Sequence, residues 1–119
     1  MPLQASSSER EGVRVLKLAG HVSASEVHVL LAELAGLKDA PGGRVVLDMA
    51  VLKNLPTAAI GGLIELIRAL EQRGGRLVMA APEAGVRVPL DRLGVSPMVT
   101  ITESVDEAVE MLRSGKSEG

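Results

Sequence analysis

The sequence predicts a single α/β domain: a mixed, mostly parallel β-sheet with α-helices packed on it. Three observations carry that expectation. Short β-branched and apolar runs at 13–19, 45–47 and 76–80 alternate with segments whose apolar residues recur at helical spacing. Ser-x-x-Glu sequences at Ser23–Glu26 and Ser104–Glu107 have the form of helix-opening capping boxes. Gly20, Gly42-Gly43 and Gly74-Gly75 punctuate the boundaries between these segments. Strand and helix in alternation imply right-handed crossovers between neighbouring parallel strands.

Residues 1–12 are polar (QASSSEREG over 4–12) and read as flexible or as a short edge strand. The folded unit is placed over 13–113. Val13 to Ala19, VRVLKLA, mixes alternation with extra apolar residues, as in a strand partly covered on both faces, and Gly20 ends it. In the first box, the Ser23 hydroxyl and the Glu26 carboxylate satisfy each other's backbone donors. Val27, Leu30, Leu31 and Leu34 follow as the buried stripe of a helix that stops near Gly36. Val45-Val46-Leu47 reads as a buried strand with Asp48 at its C-terminal end. The next helix opens at Pro56-Thr57, buries Ile60, Leu63, Ile64, Ile67 and Leu70, and runs to about Arg73.

Arg76–Ala80 is the next strand. Between Ala81 and Gly94 a helix is the natural crossover, yet Pro89 stands in the middle, so a helix beginning near Pro89 or a broken one is expected. Val99-Thr100-Ile101 is a brief last strand, and Val105, Ala108, Val109 and Leu112 form the stripe of a terminal helix. Residues 114–119 read as a disordered tail.

Composition narrows the function. A chain of 119 residues suits one modest core. It has no Phe, Tyr or Trp, which removes aromatic stacking on bases, and its formal charge of −2 with scattered Lys and Arg argues against a nucleic-acid partner or an anionic membrane surface. Without Cys there is no disulfide or thiol chemistry, which suits a reducing compartment. No apolar stretch is long enough for direct membrane insertion and no signal peptide is evident, so a cytoplasmic location is the default.

Catalytic chemistry finds little to work with. His21 and His28 are the two candidate bases, and neither is visibly paired with a nucleophile or an orienting acid. Separated histidines without Cys make no zinc pattern, and no glycine turn matches a phosphate loop, so neither a metal nor a cofactor is expected. The chain is therefore read as not an enzyme.

Asp48 and Thr57 remain, each with two readings. Asp48 can cap the loop that follows its strand, and Thr57 can be a plain N-cap, worth about 1 kcal/mol. Alternatively, Thr57 lies where free N–H groups and the positive end of a helix dipole stabilise a phosphate, and Ala58, Ala59, Gly61 and Gly62 leave the first turn bare for a partner. Helix glycines cost on the order of 1 kcal/mol each relative to Ala, so tight packing or partner access must offset them.

Gly20, the strand ending in Asp48, the helix opening at Thr57, the Gly74-Gly75 turn, Leu93-Gly94-Val95 and Ser104–Val109 together resemble the STAS domain, the fold of anti-sigma factor antagonists. The likeness extends from about Val13 to Leu112. In that family an Asp-Ser-Ser-Gly-Leu-Gly-like sequence opens the helix, and its first Ser is phosphorylated by a kinase that is itself the anti-sigma factor. Matched in order, Pro56 replaces the acid, Thr57 takes the place of the phosphorylated Ser, Ala58 and Ala59 replace the second Ser and the Gly, and Ile60-Gly61 follows as the Leu-Gly pair. The resemblance implies a bacterial regulatory protein-protein interaction domain that binds a serine/threonine-kinase-type anti-sigma factor, is switched at Thr57, and is reset by a phosphatase. Asp48, Pro56, Thr57, Ala58, Ala59 and Gly61 are its implied partner-binding residues. The departures around Thr57 motivate an alternative, a STAS scaffold or regulatory subunit of a membrane transporter that works without phosphorylation. A third reading, a small enzyme using His21 with Asp48, has no supporting constellation.

Overall fold

The computed structural model describes residues 1–113. The tail expected over 114–119 lies outside the described residues. The elements in chain order are β1 (Gln4–Arg10), β2 (Val13–Gly20), α1 (Val27–Gly36), β3 (Arg44–Leu52), α2 (Ile60–Gln72), β4 (Arg76–Ala80), α3 (Ala84–Arg92), β5 (Thr100–Thr102) and α4 (Val105–Arg113). The five strands lie side by side in sequence order; β1 is antiparallel to β2 and every other pair is parallel. The α/β class and the mostly parallel mixed sheet are as the alternation of elements predicts.

Each face of the sheet buries its own cluster. Leu16 and Leu18 of β2, Leu47 and Met49 of β3 and Met79 of β4 pack with Leu30 and Leu34 of α1, Leu63 and Ile67 of α2, and Val86 and Leu90 of α3. On the opposite face Val13, Val15, Val46, Val78 and Ala80 meet Ala108, Val109 and Leu112 of α4. Alternate residues of one strand thus serve both clusters, which is why the central strands read as continuous apolar runs.

Four details differ from the expectations. β3 does not end at Asp48 but runs on to Leu52, because β2 keeps pairing with it past a bulge, with Lys17 opposite Asp48 and Ala19 opposite Val51. The buried stripe of α2 contains Leu66, while Ile64 is only half-buried: the helix is rolled so that 63, 66, 67 and 70 face the sheet. Pro89 lies inside α3 without breaking it; Val86 and Leu90, both fully buried on either side, hold the helix to the sheet despite one missing backbone bond. The last strand starts one residue later, at Thr100.

Residues Gln4–Arg10 form a seven-residue edge strand, exposed throughout, whose register against β2 is set by a tight turn with positive φ at Glu11 and Gly12. At the other end of β2, the Glu26 carboxylate accepts from the Ser23 N–H and hydroxyl, at 3.1 and 3.0 Å, and from the Leu3 N–H at 3.2 Å. These donors, the Ser23 N–H foremost, hold its carboxyl below the ordinary glutamate range. Before α4, the Ser104 hydroxyl accepts from the Glu107 N–H at 3.1 Å, and the Glu107 carboxylate reaches back to the Glu103 N–H at 3.0 Å.

Candidate functional site

Past Leu52 the chain leaves the sheet and crosses to α2 through Lys53–Pro56. This short crossing is clamped on both sides. The Lys53 N–H donates to the Gly20 carbonyl at 2.9 Å, and the Asn54 side chain both accepts from the Val22 N–H at 2.7 Å and donates to the Val22 carbonyl at 3.0 Å. On the other side the Lys53 ammonium lies 3.5 Å from the Glu83 carboxylate, and Gly85 of α3 backs onto the Lys53 carbonyl so closely that it has no room for a Cβ. Leu55 is buried and plugs the crossing into the core.

Pro56 is the N-cap, with φ −63° and ψ 144°, and Thr57–Ala59 make one 3₁₀ turn that leads directly into α2. A proline supplies no capping oxygen, so the turn opens uncapped. Thr57 stands one position inside the turn and is not the N-cap; among the described residues no hydrogen bond uses its hydroxyl. The Ala59 N–H is taken by the Pro56 carbonyl at 2.9 Å, and among the described residues the N–H groups of the exposed Thr57 and Ala58 have no backbone acceptor.

The expected site residues separate into two groups. Thr57, Ala58 and Gly61 are exposed together at the start of α2, with Pro56 half-buried beside them. Ala59 is fully buried and packs into the core, so it offers a partner no surface. Asp48 lies elsewhere: it alternates with the buried Leu47 and Met49 of the α1/α2 side and therefore points to the α4 face, where its carboxylate accepts from the Ala50 N–H at 3.2 Å. Its local role is to satisfy a bulge amide. His21 is exposed and donates its backbone N–H to the Met1 carbonyl, His28 is exposed on α1, and among the described residues no hydrogen bond joins either histidine to Asp48.

The two helix glycines also differ. A Cβ on Gly62 would lie 2.5 Å from the Leu31 Cδ2, so that glycine lets α2 close on α1, whereas a Cβ on Gly61 would meet no heavy atom within 4 Å. Gly61 opens onto a groove of about 410 Å³ between the helices, lined by Leu31, Ala35, Ala58 and Gly62, with a Lys38–Glu65 pair at 3.6 Å in its wall. Among the described residues no group of three or more His, Cys, Asp or Glu could hold a metal ion, and no helix is long and apolar enough to cross a membrane.

This sheet order and its helices have counterparts among known proteins. A family model, STAS domain, matches residues 4–108. The chain belongs to the STAS domain family. Among curated proteins none matches this STAS domain in sequence. Solved structures that share its fold include an anti-sigma factor antagonist from Mycobacterium paratuberculosis, with TM-score 0.81, 19% identity and coverage of 93% of this chain and 94% of that one. A putative anti-sigma factor antagonist from Thermotoga maritima matches with TM-score 0.76, 16% identity and coverage of 92% and 94%. The Bacillus cell fate determinant SpoIIAA in its phosphorylated form matches with TM-score 0.69, 18% identity and coverage of 93% and 99%. At these identities the likeness is one of fold. The STAS domain described here shares it over nearly its whole length.

Asn54 is a site residue that sequence pattern alone does not reveal. Its two bonds reach a residue 32 positions away, and nothing in the local pattern around an Asn before Leu-Pro announces such a reach.

Proposed function

We propose that this STAS domain is a bacterial regulatory module of the anti-sigma antagonist type, which docks a serine/threonine-kinase-type anti-sigma factor through Pro56, Thr57, Ala58 and Gly61 and is switched by phosphorylation of Thr57. The observation that carries the reading is the Thr57 hydroxyl, exposed at the positive end of α2 and unused by the fold. Gly61 supports it, since a helix glycine with open space around it has no packing reason to be there. The phosphorylated form of a fold neighbour, SpoIIAA, gives the same direction.

A phosphate on Thr57 adds about −1.5 to −2 charges at neutral pH. Beside two N–H groups without backbone acceptors at a helix start such charge is compatible with the fold, so its effect falls on the docked partner, through charge and bulk at the contact. A phosphatase would restore the hydroxyl. The domain works by contact and not by turnover, in the cytoplasm where kinase and ATP meet it.

The test is a pull-down from host lysate with phosphosite mapping, comparing the parent with Thr57→Ala and Thr57→Glu. Phosphate at Thr57, a captured kinase, and loss of that kinase from Thr57→Glu are the expected results. Equal capture by all three proteins without phosphothreonine would replace this reading with the phosphorylation-independent scaffold or transporter subunit.

A further inference from the structure

We infer that Asn54 is the positioning residue of the Thr57 turn: its amide ties the β3–α2 crossing to the β2–α1 loop and so fixes where the hydroxyl is presented. The functional half of this inference rests on the proposed role of Thr57; the positional half stands on geometry alone.

After the Lys53 N–H bonds to the Gly20 carbonyl, the next backbone bond among the described residues is that of the Ala59 N–H to the Pro56 carbonyl. In that interval the Asn54–Val22 pair supplies the hydrogen bonds, at 2.7 and 3.0 Å. A primary amide is suited to the task because one planar group offers an acceptor and a donor at once, matching the N–H and C=O of a single residue. Val22 is 2% exposed and Asn54 is half-buried, so the pair is shielded on its Val22 side and reached by water only from the Asn54 side.

The anchor is itself held from behind. The Met1 carbonyl accepts from the His21 N–H at 2.9 Å, the Leu3 N–H donates to Glu26, and the Pro2 carbonyl lies against Gly20 where a Cβ would stand. The N-terminal segment, the β2–α1 loop, Asn54 and the Thr57 turn thus form one braced series. Thr57 is three residues past Asn54, with the buried Leu55 between them, so little slack separates the brace from the hydroxyl.

The experiment uses the full chain with Asn54→Ala and Asn54→Asp, read by amide hydrogen exchange. In Asn54→Ala the Ala59 and Val22 amides should exchange about tenfold faster or more, as expected when two hydrogen bonds of ordinary strength are lost, while the core amides of Leu47 and Met79 stay within about twofold. Asn54→Asp keeps the acceptor for the Val22 N–H but sets an oxygen against the Val22 carbonyl, so it should fall in between. An unchanged Ala59 amide in Asn54→Ala overturns the inference, and so does equal acceleration of Leu47 and Met79, which would mark a loss of global stability. In host lysate supplied with ATP, phosphate at Thr57, counted by mass spectrometry, should accumulate several-fold more slowly in Asn54→Ala; an unchanged rate overturns the functional half. If the parent itself takes up no phosphate, the switch reading fails and exchange alone decides the role of Asn54.

Discussion

Gly43 and Gly75 press backbone on backbone where β3 and β4 begin: a Cβ on Gly75 would fall inside contact distance of the Gly43 carbonyl, and one on Gly43 would stand 3.0 Å from the Gly75 Cα. Gly43 also has φ +67°, a conformation that resists any side chain. The contact sets how closely the two central strands start. Gly75→Ala should therefore cost about 2–3 kcal/mol, the range of overpacking against a backbone that cannot move aside. Gly61→Ala, with open space around it, should gain close to the roughly 1 kcal/mol that Ala holds over Gly in a helix. Urea unfolding of the two variants checks both signs. The same Gly61→Ala should weaken kinase capture, since its methyl group intrudes on the exposed turn.

Thr57→Ala should leave stability within about 0.5 kcal/mol of the parent, as for a surface change that touches nothing. A capping threonine would cost about 1 kcal/mol on the same change, but the cap here is Pro56. Thermal melts of the two proteins distinguish these outcomes, and a clear drop in Tm would mean that the hydroxyl serves the fold.

Glu26 links stability to acid. Its carboxyl is held below the 4.5 of an ordinary glutamate, first by the Ser23 N–H and then by the Ser23 hydroxyl and the Leu3 N–H. A carboxyl whose folded value is depressed binds protons more readily in the unfolded chain, so its contribution is fully present above about pH 4.5 and is lost as pH falls through the folded value. Tm measured against pH should drop more steeply below about pH 4.5 in the parent than in Glu26→Gln, and the two curves should converge toward the acid end. Parallel curves would count against the linkage.

Pro89→Ala should stabilise the domain by roughly 1–3 kcal/mol, because it restores a backbone donor to the Gly85 carbonyl and removes the ring's clash with the preceding turn. Val86 and Leu90 remain in place to guide the helix. Chemical denaturation of the variant tests this, and a loss of stability would show that the ring itself packs usefully.

Much of the architecture is legible in the residues because its rules are local. Val13, Val15, Val45, Val46 and Leu47 announce strands, and the stripes of α1, α2 and α4 announce helices, through periodicities that need no knowledge of the partner surface. The misreadings fall where distant groups decide. Asp48 looks like a strand end because a charge follows an apolar run, but the ladder with β2 carries β3 on to Leu52. Leu66 and Ile64 exchange roles because the roll of α2 depends on what it packs against, the sheet and also α1, whose Leu31 lies where a Cβ on Gly62 would stand. Pro89 is overruled by the burial of its neighbours. At the site, Thr57 could be found from its place after a strand, while the brace at Asn54 depends on a fold that brings Val22 beside it.

The opening residues bear on how such experiments are built. Met1 and Pro2 lie along His21, next to the loop that Asn54 grips. An affinity handle fused ahead of Met1 would leave from the segment whose carbonyls meet His21 and Gly20, and would load the loop that Asn54 grips. Bait proteins for capture are better immobilised through a residue on the outer side of α4, such as an engineered cysteine at Glu110, where the tether leaves from the far face of the sheet.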